Sequence, residues 1–269
     1  MLDAVARDGL VLLGCGKMGT ALLTGWLAAG VPAASVWVIE PNPSDWLKSS
    51  GVHLNEALPK SPAVALVAVK PQMMGAALPA LQAMGNGKTL FVSIAAGTSI
   101  ATFAAVLGER TPIVRTMPNT PAMVGRGITG ICGNAFAGAD GLALARALML
   151  AVGEVVELSG EDQIDAVTAL SGSGPAYVFH LIEAMAAAGL AEGLSADVAM
   201  KLARATVCGA GELAFRAPET AAQLRINVTS PGGTTAAALL HLMDAETGLP
   251  PLMLRAVHAA AERGRELGK

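Results

Sequence analysis

The sequence predicts an α/β N-terminal domain, a parallel sheet covered on both faces by helices, followed by an all-α C-terminal domain. Three observations carry this. Short apolar runs rich in Val, Leu and Ile alternate with helical stretches as far as Leu158. The turn after the first run is rich in glycine. From about Glu161 onward the periodicity is helical, with almost no strand pattern. The expected domains are therefore 1–158 and 159–269.

The first strand is Leu10–Leu13, and a helix follows from Lys17 to Ala29, stopped by Gly30. Ser35–Ile39 is the second strand, ended by Pro41 and Pro43. Ala63–Val69 is the third, stopped by Pro71. Thr89–Ser93 and Pro112–Arg115 continue the series, with a glycine-rich strand at Gly127–Cys132 and a last one at Glu154–Leu158. The helical half is punctuated by Gly172, Gly174 and Pro175, then Gly193, Pro218, the Pro231-Gly232-Gly233 turn and Pro250-Pro251.

Composition narrows the class. Apolar residues make up 53% of the 269 and charged residues 14%, enough for a sizeable core and too apolar for a disordered chain. Aromatics are only 3%, so Ala, Leu, Val and Met must fill that core. A net charge of −3 without a long Lys/Arg run argues against a nucleic-acid partner. Cys15, Cys132 and Cys208 are odd in number and widely spaced. They suggest neither a zinc site nor a disulfide framework, and a cytoplasmic, reducing compartment fits them. Asp3, Arg7 and Asp8 precede the first apolar run, unlike a signal peptide. Mean hydropathy is high at +0.53. The apolar stretches nevertheless break well short of the ~18 residues that suggest a membrane span.

Gly14-Cys15-Gly16-Lys17-Met18-Gly19 matches G-x-G-x-x-G directly after a strand and at the start of a helix. The first glycine permits a tight turn, the second lets a pyrophosphate approach the backbone, and the third lets helix and strand pack closely. N–H groups at the helix start then bind phosphate. Glu40 ends the second strand, 21 residues beyond Gly19, where a carboxylate hydrogen-bonds a ribose diol and repels a 2′-phosphate. No Arg follows closely. Ala68-Val69-Lys70-Pro71 and Ser93-Ile94-Ala95-Ala96-Gly97 close two further strands, where an open α/β sheet places its ligands.

A second candidate is Val228-Thr229-Ser230-Pro231-Gly232-Gly233-Thr234-Thr235. Ser230 reads as an N-cap and Pro231 as the first helical residue, so the two glycines would leave a positive helix end open to a carboxylate. Ser171-Gly172-Ser173-Gly174-Pro175 reads as another such entrance, or as tight helix packing. His53, His180, His241 and His258 show no catalytic or ligand spacing, and no metal-binding cluster is evident. A substrate that arrives already protonated, such as an iminium, needs no strong protein acid.

Five blocks together resemble the pyrroline-5-carboxylate reductase family: the glycine motif, Ala68-Val69-Lys70-Pro71-Gln72, Arg115-Thr116-Met117-Pro118-Asn119-Thr120-Pro121, Leu170-Ser171-Gly172-Ser173-Gly174-Pro175-Ala176-Tyr177, and the Val228–Thr235 block. They occur in the family's order and span nearly the whole chain. The resemblance implies a Rossmann-type N-terminal domain and a C-terminal dimerisation domain that interleaves with its partner's. It implies reduction of 1-pyrroline-5-carboxylate to L-proline by NADPH or NADH, in a homo-oligomer built from dimers. By position, Leu13–Met18, Ala68–Pro71 and Ile94–Ala96 would contact the cofactor, with Asn227 near its nicotinamide end. The Ser230–Thr235 turn would hold the substrate carboxylate, and the Thr235 hydroxyl would face the ring nitrogen as the catalytic group. Many relatives carry a small polar residue at the Glu40 position, often with an Arg nearby, so NADPH preference is open. The segment between Gly51 and Ala68 is shorter than in many relatives, and Asn55 is the candidate for an Asn of that region.

Two other readings stay open on sequence alone. A β-hydroxyacid dehydrogenase would also join these two domain types, but Lys201 lacks an Asn four residues on, where Ala205 stands. A dinucleotide-sensing protein would leave the Ser230–Thr235 turn idle.

Overall fold

A computed structural model describes residues 2–268. The chain divides into two compact units: the first runs to Gly172 and takes in the end of the chain from Ala260, and the second is Ser173–Ala259.

The first unit opens with helix α1 (Leu2–Asp8), strand β1 (Leu10–Leu13) and helix α2 (Lys17–Ala28). Then come β2 (Val36–Ile39), α3 (Asp45–Lys48), the two-residue β3 (His53–Leu54), β4 (Val64–Val67), α4 (Met74–Ala77), β5 (Leu90–Ser93), α5 (Ile100–Leu107) and β6 (Ile113–Met117). β7 (Gly127–Gly133), α6 (Gly138–Leu150), β8 (Gly153–Glu157) and α7 (Ile164–Val167) complete it. The eight strands form one sheet in the order β3-β2-β1-β4-β5-β6-β7-β8.

Strand alternation feeds two apolar layers. Leu10, Leu12, Val36, Val38, Val64, Leu66, Leu90 and Val92 share one layer with Leu22, Leu23 and Trp26 of α2. Val11, Leu13, Ala65, Val67, Phe91 and Ile113 share the other with Leu81, Phe103 and Leu107. This is why the strands read as unbroken apolar runs: both faces are covered. Trp26 is fully buried, and its indole N–H donates to the Leu148 carbonyl at 2.9 Å, so a polar group in the core has its partner.

One expectation needs correcting. The sheet is not wholly parallel, because β7 pairs antiparallel with β6. The link between them holds only Pro118–Arg126 with one 3-10 turn at Thr120–Val124, too short for the crossover that a parallel pair requires. The compact first unit continues past residue 158. Regular strand does end at Glu157, but Glu161 bonds to Arg115, and Ile164 is buried beside Met117 and Cys132. These interactions hold residues 161–172 on the sheet.

The second unit is helical: α8 (Gly174–Ala191), α9 (Ala196–Arg216), α10 (Ala221–Asn227), α11 (Thr234–Leu242) and most of α12 (Leu249–Leu267). Ser195 caps α9 by accepting from the Val198 N–H at 3.4 Å, and Thr220 caps α10 by accepting from Gln223 at 3.2 Å. α8 and α9 pack through small residues; a Cβ on Gly189 would lie 3.2 Å from that of Ala199.

Candidate active site

The glycine turn lies at the carboxyl end of β1. Chain order runs outward from here in both directions, β1-β2-β3 one way and β4-β5-β6 the other, which is the switch point where open α/β sheets bind ligands. Gly14 has φ +88, and a Cβ there would sit 2.9 Å from both the Ala68 carbonyl oxygen and the Val69 side chain. Only glycine fits. Gly19 is close-packed, since its Cβ would meet the Gly14 carbonyl oxygen at 2.7 Å. Gly16 differs: nothing lies within 4 Å of a Cβ built on it. It is the N-cap of α2 and has no side chain to cap the helix, so the first N–H groups of α2 open onto that space.

Ala68-Val69-Lys70-Pro71 follows β4, and Ile94-Ala95-Ala96 follows β5, both at the carboxyl edge beside the glycine turn. The Ala68 N–H donates to Leu13 at 2.8 Å and the Ile94 N–H to Val67 at 3.1 Å, so the ladder sets the heights of these loops. Leu13, Cys15 and Ala95 are buried, Met18 is partly buried, and Lys17, Lys70 and Pro71 are exposed.

Glu40 stands immediately beyond β2. One carboxylate oxygen accepts the Cys15 N–H at 2.8 Å and the other the Asn42 N–H at 3.0 Å. Asn55 holds the same residue from just beyond β3: its side-chain oxygen accepts the Glu40 N–H at 2.9 Å, and its amide donates to the Glu40 carbonyl at 3.0 Å. Asn55 adopts φ +55, a conformation that Asn tolerates better than most residues. Resemblance alone makes Asn55 a candidate; β3, with two residues and no apolar run, gives no local signal for it.

The turn before α11 departs from expectation. Ser230 is not the N-cap and Pro231 does not begin the helix; α11 starts at Thr234, with Gly233 as its N-cap. The Gly233 N–H instead returns to the Ser230 carbonyl at 3.0 Å, and Gly232 takes φ +70. Two consecutive glycines made a tight turn cheaper than an early helix start. The opening remains: the first N–H groups of α11, at Thr234 and Thr235, have no intrahelical partner. Thr235 is partly buried, and no partner bonds its hydroxyl among the described residues. Asn227 ends α10 and accepts from Gln223 at 2.8 Å.

Ser171–Pro175 does lead into a helix: α8 starts at Gly174 with Ser173 as its N-cap, and a Cβ built on Gly174 would meet nothing within 4 Å. A π-turn at Thr168–Gly172 runs almost directly into α8, and the Ser171 hydroxyl donates back to the Val167 carbonyl at 3.0 Å. The Ser171 carbonyl accepts from Asn119, whose own oxygen accepts the Ile128 N–H at 2.9 Å. Ser171 and Gly172 thus belong to the first unit, while Ser173–Pro175 open the second.

Among other reactive side chains, the buried Cys132 thiol is pushed up to about 11, first by burial and then by the Glu161 charge, and so is a poor nucleophile. Burial also pushes the Cys15 thiol up, against a Thr20 hydrogen bond. His53 has both ring nitrogens engaged, by Glu56 and the Ala34 carbonyl, and stacks on Trp37 at 4.5 Å. Among the described residues no cluster could hold a metal ion.

Residues 161–267 match the family model for pyrroline-5-carboxylate reductase dimerisation, and residues 10–97 match that for coenzyme F420-dependent NADP oxidoreductases. A pyrroline-5-carboxylate reductase of Pseudomonas aeruginosa is 40% identical, with 97% of each chain covered. The chain belongs to the pyrroline-5-carboxylate reductase family. The solved structure of the Coxiella burnetii reductase superposes with a TM-score of 0.91 at 35% identity, over 97% of this chain and 99% of that one. The Plasmodium falciparum reductase, solved with NADP bound, gives 0.83 at 28% identity, over 98% and 99%.

The residues present fit the family's dinucleotide. Gly16 leaves the room that any side chain would fill, α2 directs its N–H groups there, and Glu40 supplies acceptors at the end of the adjacent strand. No helix is long and apolar enough to cross a membrane among the described residues. The matched dimerisation domain marks the protein as a homo-oligomer.

Proposed function

We infer that this protein reduces 1-pyrroline-5-carboxylate to L-proline, the last step of proline biosynthesis. The observation that carries the reading is the glycine turn at the β1/β4 switch, open at Gly16 and closed at Gly14 and Gly19, in a chain of this family.

When bound, NAD(P)H supplies the hydride. The α2 N-terminus, from Gly14 to Met18, holds the pyrophosphate, and Glu40 accepts from the adenosine ribose. Ala68–Pro71 and Ile94–Ala96 line the cofactor from the neighbouring strand ends, and Asn227 serves its nicotinamide end. In the helical unit, Ser230, Gly232, Gly233, Thr234 and Thr235 hold the substrate carboxylate, with backbone N–H groups and hydroxyls as donors. Thr235 orients the ring nitrogen. The imine carbon accepts the hydride, and the protonated nitrogen becomes the secondary amine of proline, so charge and atoms balance without a protein acid. Positioning then supplies most of the rate, a contribution of several kcal/mol in well-oriented reactions. The free Cys15, Cys132 and Cys208 favour a cytoplasmic enzyme, and the helical unit is the interface of the dimers from which any larger oligomer is built.

The test is steady-state oxidation of NADH and of NADPH with pyrroline-5-carboxylate, with proline quantified. Equimolar proline and oxidised cofactor are expected. No turnover with either cofactor would overturn the reading.

A further inference from the structure

We propose that this chain selects NADH over NADPH, and that Glu40, immobilised by the Cys15 and Asn42 amides and by the Asn55 side chain, decides the choice. The inference rests on the dinucleotide site described above and deepens it. A carboxylate offers about four lone-pair directions. Two are taken, one on each oxygen, by the Cys15 and Asn42 N–H groups at 2.8 and 3.0 Å. The remaining two suit the donors of a ribose diol. A 2′-phosphate has no such donor and brings a second anion against the first.

Immobility makes this discriminating. A flexible glutamate could swing away and admit the phosphate. Here the carboxylate bridges the glycine turn and its own strand end, while Asn55 bonds both backbone groups of Glu40. Moving Glu40 would strand the Cys15 and Asn42 amides and break the Asn55 pair. No compensating cation stands nearby in the loop. Between Glu40 and Glu56 the sole Lys or Arg is Lys48, which is bonded to Asp45 at 2.9 Å. Asn55 is thus a positioning residue: it touches no cofactor in this account and acts through Glu40.

The test is calorimetric titration of the full-length protein with NADH and NADPH, which reads binding without turnover. For the wild type, NADH should bind at least about tenfold more tightly, the effect of one uncompensated like-charge contact. Glu40→Ser should erase that ratio by tightening NADPH. Asn55→Ala keeps the charge and should narrow the ratio part-way, with the protein still folded by circular dichroism. If Glu40→Ser does not fold, Asn42→Arg places a cation beside the intact Glu40 and should raise NADPH affinity. Wild-type preference for NADPH, or a ratio unmoved by Glu40→Ser and Asn42→Arg, overturns the proposal. An Asn55→Ala ratio equal to wild type overturns the positioning role. Turnover with pyrroline-5-carboxylate on the same preparations separates the readings: an active enzyme that prefers NADPH refutes only this inference, and a protein that binds neither dinucleotide refutes both.

Discussion

Gly14 and Gly16 are two residues apart and fail for opposite reasons when a methyl group is added. Gly14→Ala must place a side chain at φ +88 and 2.9 Å from the Ala68 carbonyl. The backbone strain alone costs about 1–3 kcal/mol, so the melting temperature should fall. Gly16 has φ −69 and open space around it, so Gly16→Ala should leave the melting temperature unchanged or slightly raised. It should instead weaken dinucleotide binding by about tenfold or more, because the methyl fills the approach to the pyrophosphate. Thermal melts with and without NADH read both effects, and equal behaviour of the two variants would refute the assignment. These roles were legible because G-x-G-x-x-G ties each glycine to a distinct task. Asn55 was less legible, since nothing in the residues just after a two-residue strand signals that a side chain there will hold the backbone of Glu40.

Thr235 offers the same kind of separation for the substrate. Its hydroxyl has no partner among the described residues, so Thr235→Ala removes no internal bond. If it orients the ring nitrogen, kcat/KM should fall by about one to two orders of magnitude, equivalent to about 1.5–3 kcal/mol for a bond to a charged group. Cofactor affinity and melting temperature should stay within error, and Thr235→Ser should keep much of the rate. A folded Thr235→Ala variant with undiminished kcat/KM removes Thr235 from catalysis.

At the scale of elements, pattern reading succeeds where one force dominates. β1, β4 and β5 are covered on both faces, so their sequences are continuous apolar runs and their positions were evident. It fails where a turn competes with a helix, as at Ser230-Pro231, or where link length sets strand direction, as between β6 and β7. Residues 161–172 show the effect of a long-range bond. Arg115 is buried in β6, its Nη1 bonds Glu161 at 2.8 Å, and its Nε has no partner. The same Glu161 oxygen accepts the Ile100 N–H at the start of α5, at 2.8 Å. Two elements distant in sequence therefore converge on one carboxylate. Glu161→Ala leaves a buried cation and a helix-end donor unpaired, and should cost about 3 kcal/mol in urea unfolding. Glu161→Gln keeps an acceptor and should cost less. A loss below about 1 kcal/mol for the Ala variant would show that water replaces the carboxylate at little cost.

At the scale of the molecule, the two units differ in how they keep apolar surface from water. The first has layered clusters on both faces of its sheet. In the second, the buried apolar residues are Ala186, Ala199 and Ala203, three small side chains for a unit spanning Ser173–Ala259. Large apolar side chains there lie open instead: Phe179, Leu181, Leu202, Leu213 and Phe215 on α8 and α9, Leu240 on α11 at 77% exposure, and Leu254 on α12 at 74%. A surface this apolar is unstable in water as a free monomer face and matches an obligate interface. The composition already hinted at it, being rich in Ala, Leu and Met with few charges to cover a helix bundle. Light scattering at micromolar concentration should therefore give at least twice the chain mass of 27.0 kDa. Leu240→Glu with Leu254→Glu puts two charges into surface that the free chain exposes, so the cost to the isolated fold is small. The cost to association is large, because each carboxylate would be desolvated without a partner. The double variant should shift toward monomer and lose melting temperature in proportion to dilution, while NADH titration of the first unit persists. A wild type that is monomeric at those concentrations, or a double variant whose mass does not change, would mean that the exposed leucines are not the dimer surface.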